Sequence, residues 1–300
     1  MASELTSFLT KISVMMILLS ALTFQFSSKQ IDQMKQMSKD ELFSKQIWTQ
    51  TYIAIFTQPN TLYEDLSDER DFLEKNSYVA SSYIKYVEAT GSQTLIIPWD
   101  MPWGEMVPIL ENTHGIILPG GNAEIIKQNP YMDKIKKVLN WVKERNDKGF
   151  YYFVLGICMG YEQMLISEAE DHDVLESGFN HYDKTPVNIP DIQIIKESKF
   201  FNNLSVLDLR EALDVLSGPK NILYAHGDGI SLEAYKKNPL LTNNTNLIGS
   251  STYNGKEFVA MLENNRYPLF SMQFHPEKNA WEKKRVPYVN LNRSKATVDT

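Results

Sequence analysis

The chain has one cysteine in 300 residues, so an intramolecular disulfide is excluded. It also lacks the paired-cysteine and HExxH spacings of zinc sites, and the GxxxxGK(S/T) and GxGxxG loops of nucleotide sites. Its net charge of -7 at pH 7 lacks the basic excess that phosphate binding requires. We therefore expect no metal, no cofactor and no nucleic-acid partner.

Long hydrophobic runs are also scarce, and the clearest one covers residues 12–24, directly after Lys11. It is short for a membrane span and has the length of a signal-peptide core. We expect a signal peptide over residues 1–28 or, because a clean small-x-small cleavage site is missing, a retained signal anchor. Membrane attachment is expected only if this segment is retained. Residues 29–47 read as a polar spacer, and residues 48–300 as one folded domain.

Three glycosylation sequons, at Asn203, Asn243 and Asn292, fit entry into the secretory route. A domain of this size needs no disulfide to stabilise its core. We expect a glycoprotein that is secreted or resides in a lysosome-like compartment.

The single cysteine lies in the sequence GICMG, residues 156–160. An aromatic and β-branched run at residues 151–155 predicts a buried strand before it, and residues 161–169 predict a helix after it. Strand, glycine-flanked nucleophile and helix form the nucleophile-elbow pattern, here with sulfur in place of oxygen. The helix dipole would lower the pKa of the Cys158 thiol. The alternative is a thiol buried in the core.

A second motif, His275-Pro276-Glu277, follows a predicted pair of strands at residues 258–262 and 269–274. Glu277 is close enough in sequence to reach the far ring nitrogen of His275. A thiol, an imidazole and a carboxylate are the groups that acyl transfer through sulfur requires.

A third motif, GIILPGGN at residues 115–122, predicts a strand that runs into a glycine pair, with a helix from about Ala123. A backbone N–H of Gly120 or Gly121 could form an oxyanion hole with the N–H of Met159. The alternative is an ordinary turn between strand and helix.

Strands and helices alternate through the first half of the chain, which predicts an α/β fold with a mostly parallel sheet flanked by helices. Functional residues are then expected at the carboxyl ends of the strands. The predicted strands cover residues 51–56, 94–97, 115–118, 151–155 and 270–274. The predicted helices cover residues 78–90, 123–128, 131–146 and 161–169.

These motifs, in this order, resemble the gamma-glutamyl hydrolase family of class I glutamine amidotransferase-like proteins, which implies a flavodoxin-like fold. The resemblance runs from about Ile53 onward. Glu162 stands where the amidotransferases typically carry glutamine, and Trp281-Glu282 after the histidine motif also matches the hydrolases. The other segments that carry the resemblance are TYIAIFTQP, SYVASSYIKYVEATGSQTLIIP, NILYAHGDGIS and FSMQFHPEKNAWE.

The resemblance implies that Cys158 is the nucleophile, that His275 is the general acid and base, and that Glu277 orients His275. It further implies a role in turnover for His226, on a predicted strand at residues 221–226. It places Tyr83 and Glu162 at the substrate.

Simpler readings remain open for two of these residues. His226 would otherwise be a loop histidine bonded to backbone, and Tyr83 belongs to an apolar helical face. The other histidines, His114, His172 and His181, are expected on the surface or in loops.

The resemblance further implies hydrolysis of γ-glutamyl amides, above all folylpoly-γ-glutamates, through a γ-glutamyl thioester. It also implies a small-molecule substrate and no cofactor, and a homodimer is a possible assembly of the chain. Two alternatives stand beside this activity: a glutaminase domain of an amidotransferase and a catalytically silent binding module. Two departures from the family are Ala54 in place of glycine and an end at Thr300, before an expected final helix.

Overall fold

The computed structural model describes residues 51–60, 77–189, 195, 197–202, 204–219 and 221–282. The predicted signal segment, spacer and final residues lie outside this range. Within it, no helix is long and apolar enough to cross a membrane. The strands are β1 (Tyr52–Phe56), β2 (Gln58–Pro59), β3 (Ser77–Tyr78), β4 (Gln93–Ile97), β5 (Gly115–Leu118), β6 (Phe153–Ile157), β7 (Thr245–Tyr253), β8 (Lys256–Asn264) and β9 (Leu269–Met272).

Eight α-helices lie among the described residues, together with one 3₁₀ turn at His172–Val174. The helices are α1 (Ser81–Glu88), α2 (Trp103–Glu111), α3 (Pro130–Asp147), α4 (Met159–Ala169), α5 (Val206–Ser217), α6 (Leu232–Lys237), α7 (Pro239–Asn244) and α8 (Lys278–Trp281).

Seven strands form one sheet in the order β4-β1-β5-β6-β9-β8-β7. The first five in that order are parallel, and β8 and β7 extend the sheet antiparallel. In the parallel part, β4 lies on one side of β1, and β5, β6 and β9 follow in sequence order on the other side. This is the flavodoxin-like arrangement. The predicted α/β class is confirmed. The carboxyl ends of β1, β5, β6 and β9 therefore meet at one edge.

The inner parallel strands β1, β5, β6 and β9 are buried on both faces, and alternate residues enter two different cores. In β1, Ile53 and Ile55 pack with helices α1 and α5, whereas Ala54 and Phe56 pack with α2, α3 and α4. In β6, Leu155 belongs to the first of these cores and Val154 to the second. Burial on both faces fixes the sheet register, so the strand ends that carry the motifs are held rigidly.

Two predicted elements are wrong. Residues 121–129 contain no helix, because side chains hold this segment in turns: Asn129 donates to the carbonyls of Glu124 and Lys127 and then caps α3 through the Met132 N–H. Residues 221–226 form only isolated bridges rather than a strand. The strand predicted at residues 151–155 begins and ends two residues later.

Candidate active site

Cys158 lies at the sharp turn between β6 and α4, with φ 53° and ψ -110°, a strained conformation for a residue with a side chain. Gly160 makes the turn possible, since a Cβ there would lie 2.0 Å from the Leu118 carbonyl oxygen. A Cβ on Gly156 would likewise lie 2.7 Å from the carbonyl oxygen of Gly160. The geometry is that of the predicted nucleophile elbow.

The Cys158 thiol is almost enclosed, with only 5% of the residue exposed, and its Sγ lies 3.7 Å from the Ala225 carbonyl oxygen. Burial raises the pKa of the thiol and the Glu162 carboxylate raises it further. The Lys278 ammonium and the Met159 N–H act in the opposite direction but are outweighed. The expectation of a depressed pKa is therefore wrong for this closed state, because desolvation exceeds the effect of the helix dipole.

His275 and Glu277 form the predicted pair. The His275 Nδ1 lies 2.7 Å from Glu277 Oε1, and both residues are buried. Burial by itself would raise the pKa of the Glu277 carboxyl, but the His275 ring and the Lys278 ammonium outweigh burial and lower it. An ionised Glu277 accepts a hydrogen bond from the Nδ1–H of His275. The other ring nitrogen, Nε2, is then left to exchange protons.

The thiol and the imidazole converge over Gly120. A Cβ built on Gly120 would lie 2.6 Å from Tyr83 Oη, 2.9 Å from His275 Cε1 and 3.1 Å from Cys158 Cβ. Only glycine fits at the point where these three side chains meet. The structure therefore brings the elbow, the histidine motif and the Pro-Gly-Gly loop together, as the sequence predicted.

The two glycine N–H groups of that loop differ. Gly120 donates its N–H to Tyr83 Oη at 2.7 Å, so this donor is engaged. The Gly121 N–H has no hydrogen-bond partner among the described residues. Gly121 and Met159, which follows the thiol at the start of α4, are thus the donors that this state leaves for an oxyanion.

Gln58 is a site residue that the sequence did not reveal. Its side-chain amide donates to the Gly120 carbonyl at 3.3 Å and accepts the Asn122 N–H at 3.0 Å. A Cβ on Gly121 would lie 2.0 Å from Gln58 Oε1, so the loop closes over the amide. Its only signal in the sequence is its position just after β1.

His226 is buried beside the thiol, next to Ala225. Its Nδ1 lies 2.7 Å from the carbonyl oxygen of Asp228, so Nδ1 carries the proton and Nε2 presents a lone pair. Nε2 has no partner in the described part of the chain. Burial lowers the pKa of His226 to about 3, with the Asp228 carbonyl acting against it and His181 and His275 reinforcing it. His226 is a neutral acceptor.

His181 lies in an irregular segment that forms isolated bridges, in line with the expected loop position, but it is fully buried rather than on the surface. Its ring stacks between Tyr224 at 4.6 Å and Tyr253 at 4.3 Å, and its backbone pairs with that of His226. Burial lowers the pKa of His181 to about 4. As predicted, His114 is exposed. His172 is half-buried near Lys136.

Glu162 lies on α4 behind the thiol, where its Oε1 accepts a hydrogen bond of 2.8 Å from Gln273. Burial raises the pKa of Glu162 to about 7, with the Gln273 amide acting against it and Asp228 reinforcing it. The described residues include no group of three or more His, Cys, Asp or Glu side chains that could hold a metal ion.

The sequence is similar to curated proteins from several organisms. It is 30% identical over 221 residues to "Probable gamma-glutamyl hydrolase 3" of Arabidopsis thaliana, a match that covers 71% of this chain and 59% of that protein. It is 32% identical to "Gamma-glutamyl hydrolase 1" of the same plant, covering 69% and 58%. It is 28% identical to "Gamma-glutamyl hydrolase B" of Dictyostelium discoideum, covering 76% and 63%.

The matched part of the chain thus spans about three fifths of the length of these relatives. A family model also matches: "Glutamine amidotransferase class-I", over residues 73–291. That range contains the elbow, the glycine pair, His226 and the histidine motif. The chain belongs to the class-I glutamine amidotransferase family.

Proposed function

We propose that this chain hydrolyses γ-glutamyl amide bonds through Cys158, and that folylpoly-γ-glutamates are its substrates. The observation that carries the proposal is the convergence of the Cys158 and His275 side chains over Gly120, with Glu277 bonded to the far ring nitrogen. The names of the curated relatives support the choice of bond.

In the first step, attack by the Cys158 sulfur and transfer of its proton to His275 occur together. Because the buried thiol is protonated at rest, His275 takes the Cys158 proton as the sulfur attacks the γ-carbonyl carbon. The Glu277 carboxylate, bonded to Nδ1, stabilises the imidazolium that forms. A positioned base of this kind contributes about 10²–10⁴ in rate.

The carbonyl oxygen gains a negative charge in this step. The N–H groups of Met159 and Gly121 are the donors assigned to it, while Gly120 stays bonded to Tyr83. Each such donor is worth about 3–4 kcal/mol of barrier. The buried Tyr83 thereby holds the loop that presents Gly121, and lines the site next to the substrate.

The tetrahedral intermediate that forms when sulfur adds to the γ-carbonyl carbon then breaks down. The C–N bond breaks, the His275 proton goes to the departing amine, and the γ-glutamyl group remains as a thioester on Cys158. A water molecule attacks the thioester carbonyl and gives a proton to His275. The C–S bond breaks, the proton returns to sulfur, and the γ-glutamyl acid leaves.

His226 and Glu162 act on the substrate rather than on the proton transfer. A neutral His226 presents its unpartnered Nε2 as an acceptor, so it suits a substrate N–H near the scissile amide. Glu162, held by Gln273 behind the thiol, contributes to the substrate end of the site. Because the amidotransferases typically carry glutamine at this position, a glutamate here favours the hydrolase over the glutaminase alternative.

Incubation of the purified protein with pteroyltri-γ-glutamate and, separately, with glutamine tests this proposal. Chromatography would follow shortened pteroylglutamates, and an enzymatic assay would follow ammonia. The proposal predicts cleaved polyglutamate and little ammonia. Ammonia from glutamine alone would indicate an amidotransferase domain, and neither product would indicate a silent binding module.

We also propose that the chain enters the secretory pathway and resides in a lysosome-like compartment or outside the cell, with a homodimer as its assembly. The apolar run at residues 12–24 and the sequons support this placement, and Asn243 is exposed. A mobility shift after enzymatic deglycosylation and N-terminal sequencing of the expressed protein test the route. Sedimentation velocity tests the dimer.

A further inference from the structure

A partly buried ion-pair network lies behind the histidine motif. The Lys278 ammonium contacts both carboxylate oxygens of Glu282, at 2.8 and 2.9 Å, and lies 3.9 Å from Glu277 Oε1. Its side chain is only 16% exposed, and that of Glu282 is 22% exposed. A lysine buried to this degree between two carboxylates carries a charge that water screens weakly.

Helix α1 fixes this network in place. Ser82, which is buried, donates its hydroxyl to Glu282 Oε1 at 2.8 Å, and the rings of Tyr86 and Trp281 pack edge to face at 6.3 Å. The short helix α8 therefore has a set position against α1. An unbroken series of contacts runs from Ser82 through Glu282, Lys278 and Glu277 to His275.

We propose that Lys278 is a positioning residue of the active site: held by Glu282, its ammonium keeps Glu277 against His275, the side chain that takes the Cys158 proton. The proposal rests on the proposed function only in assigning the Cys158 sulfur to catalysis. The proposed reaction scheme assigns Lys278 no step, and Lys278 touches no reacting atom. It acts through Glu277 and through its field at the thiol.

The charges around the thiol favour this role. Glu162 of α4 and Glu277 are acidic groups that raise the pKa of Cys158, Tyr83 of α1 is a further titratable group beside it, and Lys278 is the cation that lowers it. Burial by itself would lower the pKa of Lys278, but Glu277 and Glu282 outweigh burial and raise it. The ammonium thus stays charged, so its loss would leave the carboxylates uncompensated.

The test is the pH dependence of Cys158 alkylation by iodoacetamide in the full-length protein. Cys158 is the only cysteine, so incorporated label reports this site alone. The midpoint of the pH profile reports thiol ionisation, whereas the limiting rate at high pH reports access. Because burial also raises the pKa of the thiol, the variant that keeps the lysine charge, Lys278→Arg, separates loss of charge from loss of packing. No γ-glutamyl substrate is present, so a failed proposed function would leave this result interpretable.

Lys278→Met is expected to raise the midpoint by about one pH unit, which is about a tenfold slower reaction at pH 7. Lys278→Arg keeps the charge and is expected to stay near the wild-type midpoint. Glu282→Gln leaves the lysine in the chain but removes the carboxylate that holds it, and is expected to raise the midpoint by a smaller amount than Lys278→Met. The matched control is Lys237→Met, because that lysine is 73% exposed and pairs with Glu233 on the surface.

An unmoved midpoint in Lys278→Met, or a lower midpoint in Glu282→Gln, overturns the proposal. Should Lys278→Met fail to fold, Glu282→Gln still decides the matter, because it keeps the lysine and removes only the carboxylate that holds it. Circular dichroism of each variant establishes folding before the profiles are compared.

Discussion

Two buried histidines flank the thiol, and the protein gives them different partners. His275 faces the Glu277 carboxylate, whereas His226 faces the carbonyl oxygen of Asp228. A carboxylate supplies a full countercharge to an imidazolium, and a carbonyl supplies only a dipole. These partners favour a proton-carrying role for His275 and a neutral acceptor role for His226, which stay predictions.

The difference also shows how each position is supported. His275 follows a sheet strand and belongs to a continuous motif with its orienting carboxylate two residues away. His226 lies in a segment that has only isolated bridges, and it is enclosed by aromatic rings contributed from distant parts of the chain. The His275–Glu277 pair is formed by a local motif, whereas the surroundings of His226 depend on the tertiary fold.

Replacing each histidine by glutamine provides the largest contrast. His275→Gln is expected to lower kcat by about 10²–10⁴, because the proton carrier is lost. His226→Gln retains an oxygen acceptor and is expected to lower kcat by about tenfold or less. Steady-state kinetics on pteroyltri-γ-glutamate measures both, and equal losses would contradict the division of roles.

Gly121→Ala tests the Pro-Gly-Gly loop, whose Gly120 meets the side chains of His275 and Cys158. A Cβ on Gly121 would lie 2.0 Å from Gln58 Oε1, so the loop and its free N–H have to shift. We expect a loss of activity of about 10²-fold and destabilisation of about 1–3 kcal/mol. Kinetics and urea unfolding measure the two effects.

Gly104→Ala is the matched control for this loop variant. That glycine lies in α2 with no atom within 4 Å of a built Cβ, so the change is expected to leave activity intact and to stabilise slightly. Loss of activity in the control as large as in Gly121→Ala would contradict a specific role for the loop.

Glu162→Gln probes the acidic group that the thiol faces. Its pKa of about 7 in the folded chain lies above the ordinary 4.5, so folding favours the protonated form. The burial of the Glu162 carboxyl therefore lowers the free energy of unfolding at higher pH. This loss of stability is absent below pH 4.5 and grows as pH rises to 7, reaching about 3 kcal/mol.

The neutral glutamine bears no such cost. The difference in unfolding free energy, Glu162→Gln minus wild type, is therefore expected to increase between pH 5 and pH 8. Urea unfolding at these two pH values measures it. A difference that is the same at both would show that Glu162 is already ionised at the lower pH.

Local motifs predicted most of this site. The parallel sheet, the elbow at Cys158 and the contact between His275 and Glu277 follow from strand runs, glycine spacing and short-range geometry. Each is encoded within a few residues. The catalytic and binding roles given to these residues remain predictions until the variants are measured.

Long-range packing produced the features that the sequence did not reveal. Gln58 reaches the Pro-Gly-Gly loop across 62 residues, and the rings around His181 come from residues up to 77 positions away. The closed environment of the thiol reversed the expected pKa direction, because burial is a tertiary property. The turns at residues 121–129 have a local cause instead: side-chain hydrogen bonds to nearby backbone carbonyls compete with helix formation.

The most direct test of the central claim is to trap the thioester. Wild-type protein and Cys158→Ser are mixed with pteroyltri-γ-glutamate, quenched in acid within milliseconds to seconds, and weighed intact by mass spectrometry. Attack by the only sulfhydryl in the chain predicts an adduct on the wild-type protein that hydroxylamine removes, in which the pteroylglutamyl part of the substrate is joined to sulfur through its γ-carbonyl. It predicts no adduct and no turnover in Cys158→Ser. Undiminished cleavage by Cys158→Ser would contradict the account.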